Sequence, residues 1–266
     1  MYAFEYHRPA SVADAAKALG GAEDAKLLAG GQTLIPTLKQ RLAQPSDIID
    51  LGRVVELKGI RRDGDAVVIG AMTKHGEVAA SDVVKSAIPG LAQLAGLIGD
   101  PAVRNRGTLG GSICNNDPAA DYPGAVVGLK ATVRTNKRTI AGDDFFTGLF
   151  ETALELDEIV TEVSFPIPQK AAYAKFRNPA SRYAIVGVFA AKLADGSVRL
   201  TVTGAGPTVF RVTEMEQALS ANFSPDAVAS IKVPANGLNA DIHASAEYRA
   251  HLITVMAKRA IAAAAG

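Results

Sequence analysis

Two glycine pairs are the parts of this chain whose residue types point most directly to chemistry: Gly30-Gly31 in LLAGGQTLIP and Gly110-Gly111 in TLGGSICNNDPAADYP. A residue without a Cβ lets backbone N–H groups come close to a bound group. If a helix opens directly after such a pair, its unpaired N–H groups and its dipole favour an anion there. Thr33 adds a hydroxyl donor, and a phosphate is the natural occupant. A plain tight turn between strand and helix is the other reading of the first pair, because short glycine motifs are common. The second stretch narrows the choice. It has few apolar groups and follows its glycines with Asn115, Asn116, Asp117 and Asp121. Such a segment is costly to order without a ligand or a dense hydrogen-bond network. Two glycine loops far apart in sequence suit a dinucleotide laid between two subdomains. Asp121 has the character to accept hydrogen bonds from sugar hydroxyls. In the alternative reading Asp117 and Asp121 cap the next helix, with Pro118 in its first turn.

The elements that must position these loops are legible around them. SVADAAKALGG reads as a short helix capped by Ser11 and stopped at Gly20-Gly21, with Val12, Ala15, Ala16 and Leu19 on one face. KLLA is a short strand running into Gly30, TLIPTLKQRL a helix that tolerates Pro36 in its first turn, and SDIIDL a second strand. Together they predict a small α/β unit. GIRRDGDAVVIGAMT predicts a β-hairpin about Gly64-Asp65, followed by helix with LAQLAGLIG as its clearest piece. RNRGTLGGSICNNDPAADYPG reads as loop, ATVRTNKRTIAG as a hairpin and EIVTEVSFPIP as a strand ended by prolines. Pro166 and Pro168 mark a domain boundary. Beyond it, SRYAIVGVFAAKL and GSVRLTVTGAG read as adjacent strands, two short helices follow, and ASAEYRAHLITVMAKRAIAAAA is a long amphipathic helix.

Composition removes several function classes. A net charge of +1 gives no electrostatic reason to expect nucleic acid or an anionic membrane as partner. The single cysteine, Cys114, excludes a disulfide framework and an iron–sulfur cluster held by this chain alone, and it suits a reducing cytoplasm. Glycine, proline or charge interrupts every apolar run, so no membrane span is expected. The N-terminus lacks the pattern of a signal peptide. His7, His75, His243 and His251 show no metal-ligand spacing and read as surface or boundary residues. TVTGAGPTV at 201–209 imitates the start of a GxGxxG fingerprint, but Val209 stands where the third glycine belongs, so a strand ending in a glycine kink is the better reading. No GxSxG, HExxH or Cys–His arrangement is present.

AGGQTLIP followed by GTLGGSICNNDPAADYP, in this order and spacing, resembles the FAD-binding medium subunit of molybdenum hydroxylases, the family of carbon monoxide dehydrogenase and xanthine dehydrogenase. The resemblance runs over nearly the whole chain and includes FEYHRPASVADA, RLAQPSDIIDL and AEYRAHLITVMAKRAI. It implies an α+β fold: a two-part FAD-binding domain of the vanillyl-alcohol-oxidase type over 1–168, with subdomains of about 1–54 and 55–168. A small C-terminal α+β domain with a three-stranded antiparallel sheet is expected over 169–266. By the same similarity Leu28, Ala29, Gly30, Gly31, Gln32, Thr33, Leu34 and Ile35 wrap the pyrophosphate of FAD from one side. Thr108, Leu109, Gly110, Gly111 and Ser112 wrap it from the other, with Asp117 close by. Asp121 matches an acidic residue near the ribityl–phosphate region, Ile98 an apolar residue near the flavin, Val160 a backbone contact and Lys175 a basic residue at the cofactor's edge. Tyr183 matches a tyrosine that covers one face of the isoalloxazine ring, which is large, flat and apolar enough to reward stacking.

The implied function is electron transfer by an oxidoreductase subunit that contributes no general base or nucleophile of its own. A large subunit with a molybdenum–pterin cofactor oxidises the substrate, and a small subunit with [2Fe–2S] clusters delivers electrons to FAD. The electrons leave to NAD, a quinone or oxygen, and the assembly is a dimer of heterotrimers. The sequence departs from relatives at Gln32, where histidine or serine is frequent, and at Ser112 and Cys114. A cysteine-bearing insertion that marks benzoyl-CoA reductase relatives is absent, which disfavours that branch. The competing reading is a stand-alone FAD-dependent oxidoreductase of the same fold, and a further one is a binding module that has lost FAD, against which both intact glycine loops argue.

Overall fold

The computed structural model describes residues 1–265. The first unit is built from β1 (Glu5–His7), α1 (Val12–Gly21), β2 (Ala25–Leu28), α2 (Leu34–Lys39) and β3 (Asp47–Asp50). Its strands form a parallel sheet in the order β1-β3-β2. Ser11 caps α1 by accepting from the Asp14 N–H, and Ala15 and Leu19 are buried against Ile49 and Leu57. Parallel neighbours need a crossover, and α1 and α2 supply it. β1 carries no periodic apolar signal and lies outside the elements expected from sequence. It is held by parallel pairing with β3 and by polar side-chain contacts to it, His7 Nε2 lying 2.6 Å from the Asp47 carboxylate and the Tyr6 hydroxyl donating to Asp50.

The second unit begins with the expected hairpin, β4 (Ile60–Asp63) and β5 (Ala66–Gly70), whose turn contains Gly64 at φ +57°. A run of helices follows: α3 (His75–Ala80), α4 (Asp82–Ala87), α5 (Pro89–Gly96), α6 (Pro101–Arg104), α7 (Leu109–Asn115) and α8 (Tyr122–Gly128). The chain then forms β6 (Thr132–Thr135), β7 (Thr139–Ala141), α9 (Gly142–Phe145), the small hairpin β8 (Phe146–Gly148) and β9 (Glu151–Thr152), and β10 (Val160–Pro166). β10 is central in an antiparallel sheet ordered β4-β5-β10-β6-β7. The helices cover one face of it through Leu91, Leu94, Leu109, Ile113 and Tyr122, all fully buried. The segment around Gly110-Gly111, expected as loop, is the helix α7. Its glycines and serine have poor helix propensity, but burial of Leu109 and Ile113 and the Thr108 cap outweigh that weak preference.

The third unit consists of β11 (Lys170–Arg177), β12 (Ala184–Lys192), β13 (Val198–Thr203), β14 (Phe210–Arg211), α10 (Thr213–Ala221) and α11 (Ala246–Ala265). Its sheet is antiparallel and has four strands, β11-β12-β13-β14, where three were expected. The fourth is only two residues long and pairs with Thr201 and Val202, too short to register as a strand by pattern. One α-helix and a single 3-10 turn at Pro225–Val228 stand in place of the two short helices expected after it. β12 is buried along nearly all its length because it has a core on each side. Phe189 and Ala191 face α8 and the second unit, whereas Val186, Val188 and Ala190 face Leu252, Met256 and Ile261 of α11. The β13 strand ends at Gly204, φ +82°, so the false fingerprint at 201–209 is a strand with a glycine kink. Among the described residues no helix is long and apolar enough to cross a membrane.

Candidate functional site

β2 delivers the chain into the first glycine pair, and α2 begins directly after it. Gly31 adopts φ +71°, and a Cβ there would meet the side chains of Ile35 at 2.6 Å and Leu28 at 3.2 Å. Leu28 and Ile35 therefore support the turn from behind. The backbone N–H groups of Gly31, Gln32, Thr33 and Leu34 have no partner among the described residues, whereas the Ile35 N–H already bonds Gly31 O at 3.1 Å. Thr33 sits at the N-cap without a capping bond. Four consecutive free donors followed by a helix make a surface that suits an anion.

The second pair is built differently. Residues 71–75 run beside 107–110: Lys74 and Thr108 form a β-bridge, Leu109 N–H bonds Thr73 O at 3.0 Å, and Gly110 N–H bonds Ala71 O at 2.8 Å. Thr108 Oγ1 accepts from Gly111 N–H at 3.1 Å, and the Ser112 N–H bonds Thr108 O. The first-turn amides of α7 are thus occupied within the protein. Gly110 is needed for packing, since a Cβ there would lie 2.7 Å from the Ala71 Cβ. Gly111 leaves a bare surface beside Ala29, and the Ser112 hydroxyl is unengaged. The first pair also rests on the segment just ahead of the second: a Cβ on Gly30 would stand 2.6 Å from the Gly107 Cα.

Asp121 precedes α8 but makes no capping bond, and the proline in that helix's first turn is Pro123. Its carboxylate instead accepts from Lys175 Nζ at 2.9 Å and from the Tyr173 hydroxyl. The Lys175 ammonium also donates to Leu97 O at 3.2 Å, and both charged side chains are almost wholly buried. Burial pushes the Asp121 carboxyl above its ordinary range, against the pull of Lys175 and Tyr173. Asp117 folds its own loop by accepting from the Ala119 N–H at 2.8 Å, an Asx turn rather than a helix cap. Tyr183 projects half exposed from the β11–β12 connection, which Asn178 organises by accepting from the Ala180 and Ser181 N–H groups. Burial, then the Asp117 and Asp121 carboxylates, raise the Tyr183 hydroxyl above its usual range. Burial also drives the Cys114 thiol up to about 12, away from the reactive thiolate form.

These groups surround one cleft of about 470 Å³, in the size range of ligand pockets. All the site residues named from sequence line it except Leu28, Ile35 and Leu109. Leu109 is fully buried in the core beneath α7. Ile98 and Val160 lie on apolar wall, the latter at a register shift in β10. Lining residues not named as site residues from sequence include Ala71, Met72, His75, Val103 and Gly107. His75 is 4% exposed, not a surface residue, and lines the cleft with its ring 5.4 Å from that of Tyr122. Only Gly107, adjoining TLGG, carried a signal that extends the motif. Donors unpaired on one loop, a Cβ-free wall opposite and a buried carboxylate–ammonium pair at one end fit a group with a pyrophosphate, sugar hydroxyls and a flat ring.

The description "FAD binding domain in molybdopterin dehydrogenase" matches residues 2–168, and "CO dehydrogenase flavoprotein C-terminal domain" matches 171–264. The chain is 37% identical to the carbon monoxide dehydrogenase medium chain of Hydrogenophaga pseudoflava, over 98% of this chain and 96% of that one. It is 38% identical to the nicotine 6-hydroxylase medium subunit of Paenarthrobacter nicotinovorans, over 97% and 96%. Among solved structures, reconstituted CO dehydrogenase from Oligotropha carboxidovorans superposes with a TM-score of 0.90 at 33% identity, covering 99% of this chain and 98% of that one. Quinoline 2-oxidoreductase from Pseudomonas putida 86 gives 0.89 at 29% identity, covering 99% and 97%. The chain belongs to the family of FAD-binding medium subunits of molybdenum-dependent dehydrogenases, and its cofactor is FAD.

Proposed function

We propose that this subunit relays electrons, held in a dimer of heterotrimers with a molybdenum–pterin large subunit and a [2Fe–2S] small subunit in the cytoplasm. The supporting observation is the cleft itself, which offers unpaired amide donors on the first glycine loop and an apolar wall at Ile98 and Val160. Bound FAD exchanges electrons one or two at a time, which lets it join one-electron clusters to an acceptor such as NAD, a quinone or oxygen. The chain's own residues supply placement. The Gly31 to Leu34 amides and Thr33 hold the pyrophosphate, and Gly111 and Ser112 close on it from the facing wall. The buried Asp121 carboxylate accepts from ribityl or ribose hydroxyls near the phosphates. Lys175 anchors that carboxylate, and Tyr183 covers the isoalloxazine ring. We take 1–168 as the FAD-binding domain, in two parts of vanillyl-alcohol-oxidase type, and 169–266 as the C-terminal flavoprotein domain.

The visible absorption spectrum of the purified chain tests the cofactor role. A yellow protein, or a colourless one that regains a flavin spectrum with added FAD, is expected. A chain that takes up no FAD sinks the reading. Purification from the native host tests the partners: molybdenum and iron should follow the chain through every column. Recovery of the chain alone, with neither metal, would favour a stand-alone FAD-dependent oxidoreductase instead.

A further inference from the structure

Among the described residues lining the cleft, His75 is the one that holds a fully enclosed side-chain polar atom without a partner. The residue is 4% exposed, yet Nδ1 is walled in without a hydrogen bond. Its backbone is fixed, because the His75 N–H bonds Gly107 O at 3.0 Å next to the Lys74–Thr108 bridge. The ring lies against Gly107, where an added Cβ would stand 2.6 Å from Nε2, and the Tyr122 ring packs beside it at a 46° tilt. Nδ1 is enclosed, whereas Nε2, beside Gly107, is not, and the residue lines the cleft.

We propose that His75 is an uncharged hydrogen-bond donor to the pyrophosphate of FAD through Nε2–H, an inference that rests on the FAD reading above. The tautomer follows from burial. A neutral imidazole carries one N–H, and an enclosed N–H without a partner is rarer and costlier in proteins than an enclosed lone pair. The proton therefore sits on Nε2, and Nδ1 keeps the lone pair. The ring stays neutral because burial, helped by the nearby Arg104 guanidinium, holds it down at about 4. The target follows from position. Gly107 is the residue on which both His75 and Gly30 rest, so the imidazole lies where the first glycine loop meets the second segment. The α7 amides on that side are already used. A pyrophosphate oxygen there needs a donor that the backbone does not provide, and His75 provides one.

The test uses the full chain stripped of FAD, with wild type, His75→Leu and His75→Gln titrated by quenching of flavin fluorescence. Gln places an amide N–H near the position of Nε2, whereas Leu keeps bulk and removes both nitrogens. His75→Leu should bind FAD about 10- to 100-fold more weakly, the effect of losing one hydrogen bond to a charged group, with His75→Gln within a few-fold of wild type. The phosphorus NMR lines of bound FAD should move in His75→Leu and return in His75→Gln. His75→Leu binding as tightly as wild type would overturn the proposal. So would equal weakening in both variants with unmoved phosphorus lines, since that is the mark of packing alone. Should the variants fail to fold, nitrogen NMR of the wild-type imidazole decides: a proton on Nδ1 overturns the assignment, and one on Nε2 supports it. A wild-type chain that takes no FAD would instead overturn the cofactor reading, and this proposal with it.

Discussion

Replacing Gly30 by alanine should damage both the fold and the cofactor site, and the structure gives the size of the effect. The new Cβ would stand 2.6 Å from the Gly107 Cα and closer still to the Arg106 carbonyl oxygen, where ordinary contact starts at 3.4 Å. Every obstructing atom is backbone, so no rotamer change relieves the clash. The first loop must retreat by roughly 1 Å from residues 106 and 107, and overpacking of that kind costs about 1–3 kcal/mol. In a domain of this size each kcal/mol lowers the melting temperature by about 2–4 °C. The retreat also moves the free amides of Gly31 to Leu34 away from the facing wall, and losing one hydrogen bond to a charged group weakens binding by roughly 10- to 100-fold. Gly111→Ala is the contrasting variant. Its Cβ would meet the Thr108 hydroxyl at 3.0 Å, a contact that a shift of a few tenths of an ångström relieves with the cap kept, and the Ala29 Cβ at 3.5 Å. The apoprotein should keep its melting temperature while FAD affinity falls, because the methyl occupies cleft surface. Thermal melts of both apoproteins and FAD titration of each check this. Gly30→Ala melting and binding like wild type would refute the claim that the two glycine segments are seated on one another.

Three further outcomes are expected. Gly20→Ala fills open space inside α1 and should stabilise the chain by up to about 1 kcal/mol in denaturant unfolding, with FAD affinity unchanged. Asp121→Asn strands the buried Lys175 ammonium and should cost about 3–5 kcal/mol, whereas Lys175→Met costs less because the carboxyl left behind can take up a proton. Burial already raises Asp121 above its unfolded value of 3.8, so the folded Lys175→Met protein binds more protons than the unfolded chain. Its deficit relative to wild type should therefore shrink as pH is lowered and widen as pH rises through the folded value, as read from denaturant midpoints at several pH values. Glu158 has the opposite sign. The Arg138 guanidinium holds its carboxyl at about 2, against 4.5 in the unfolded chain. The stability this supplies, on the order of 1 kcal/mol once screening at the half-exposed Arg138 is counted, is fully present above the unfolded value and is lost as pH falls through the folded one. Glu158→Gln should remove it near neutral pH and differ little from wild type in strong acid.

What the sequence revealed divides along the range of the interactions. Helix α1 and strands β2, β3, β5, β10, β12 and β13 follow from period and punctuation in a few neighbouring residues. The first glycine pair was readable because strand, turn and helix stand side by side. Strand β11 was not, because KAAYAKFR is mostly small and charged and pairs along β12 for the sake of Tyr173 and Phe176, which serve opposite cores. Helix α7 was not, because its support comes from residues 71–75. Asp121 was legible as an acid near the site, but not as the partner of Lys175, which lies 54 residues further along. His75 gave no signal at all, since the contact with Gly107 that defines it joins distant segments.

The two glycine pairs look alike as text and act differently as structure. Gly31 supplies a left-handed backbone, Gly30 a close approach to Arg106 and Gly107, Gly110 a close approach to Ala71, and Gly111 a bare patch of cleft wall. This explains why one pair alone is an uninformative motif and the two together are not. Gly30 can be seated only on a second segment whose own backbone is pinned to residues 71–75. That pinning consumes the amides that a helix start would otherwise offer to an anion. The donors are thus concentrated on the first loop, and the second segment contributes shape, one hydroxyl and the imidazole beneath it. A site built this way loses its anion cradle when either segment shifts, which ties the geometry of the cofactor to the contact between the two N-terminal units.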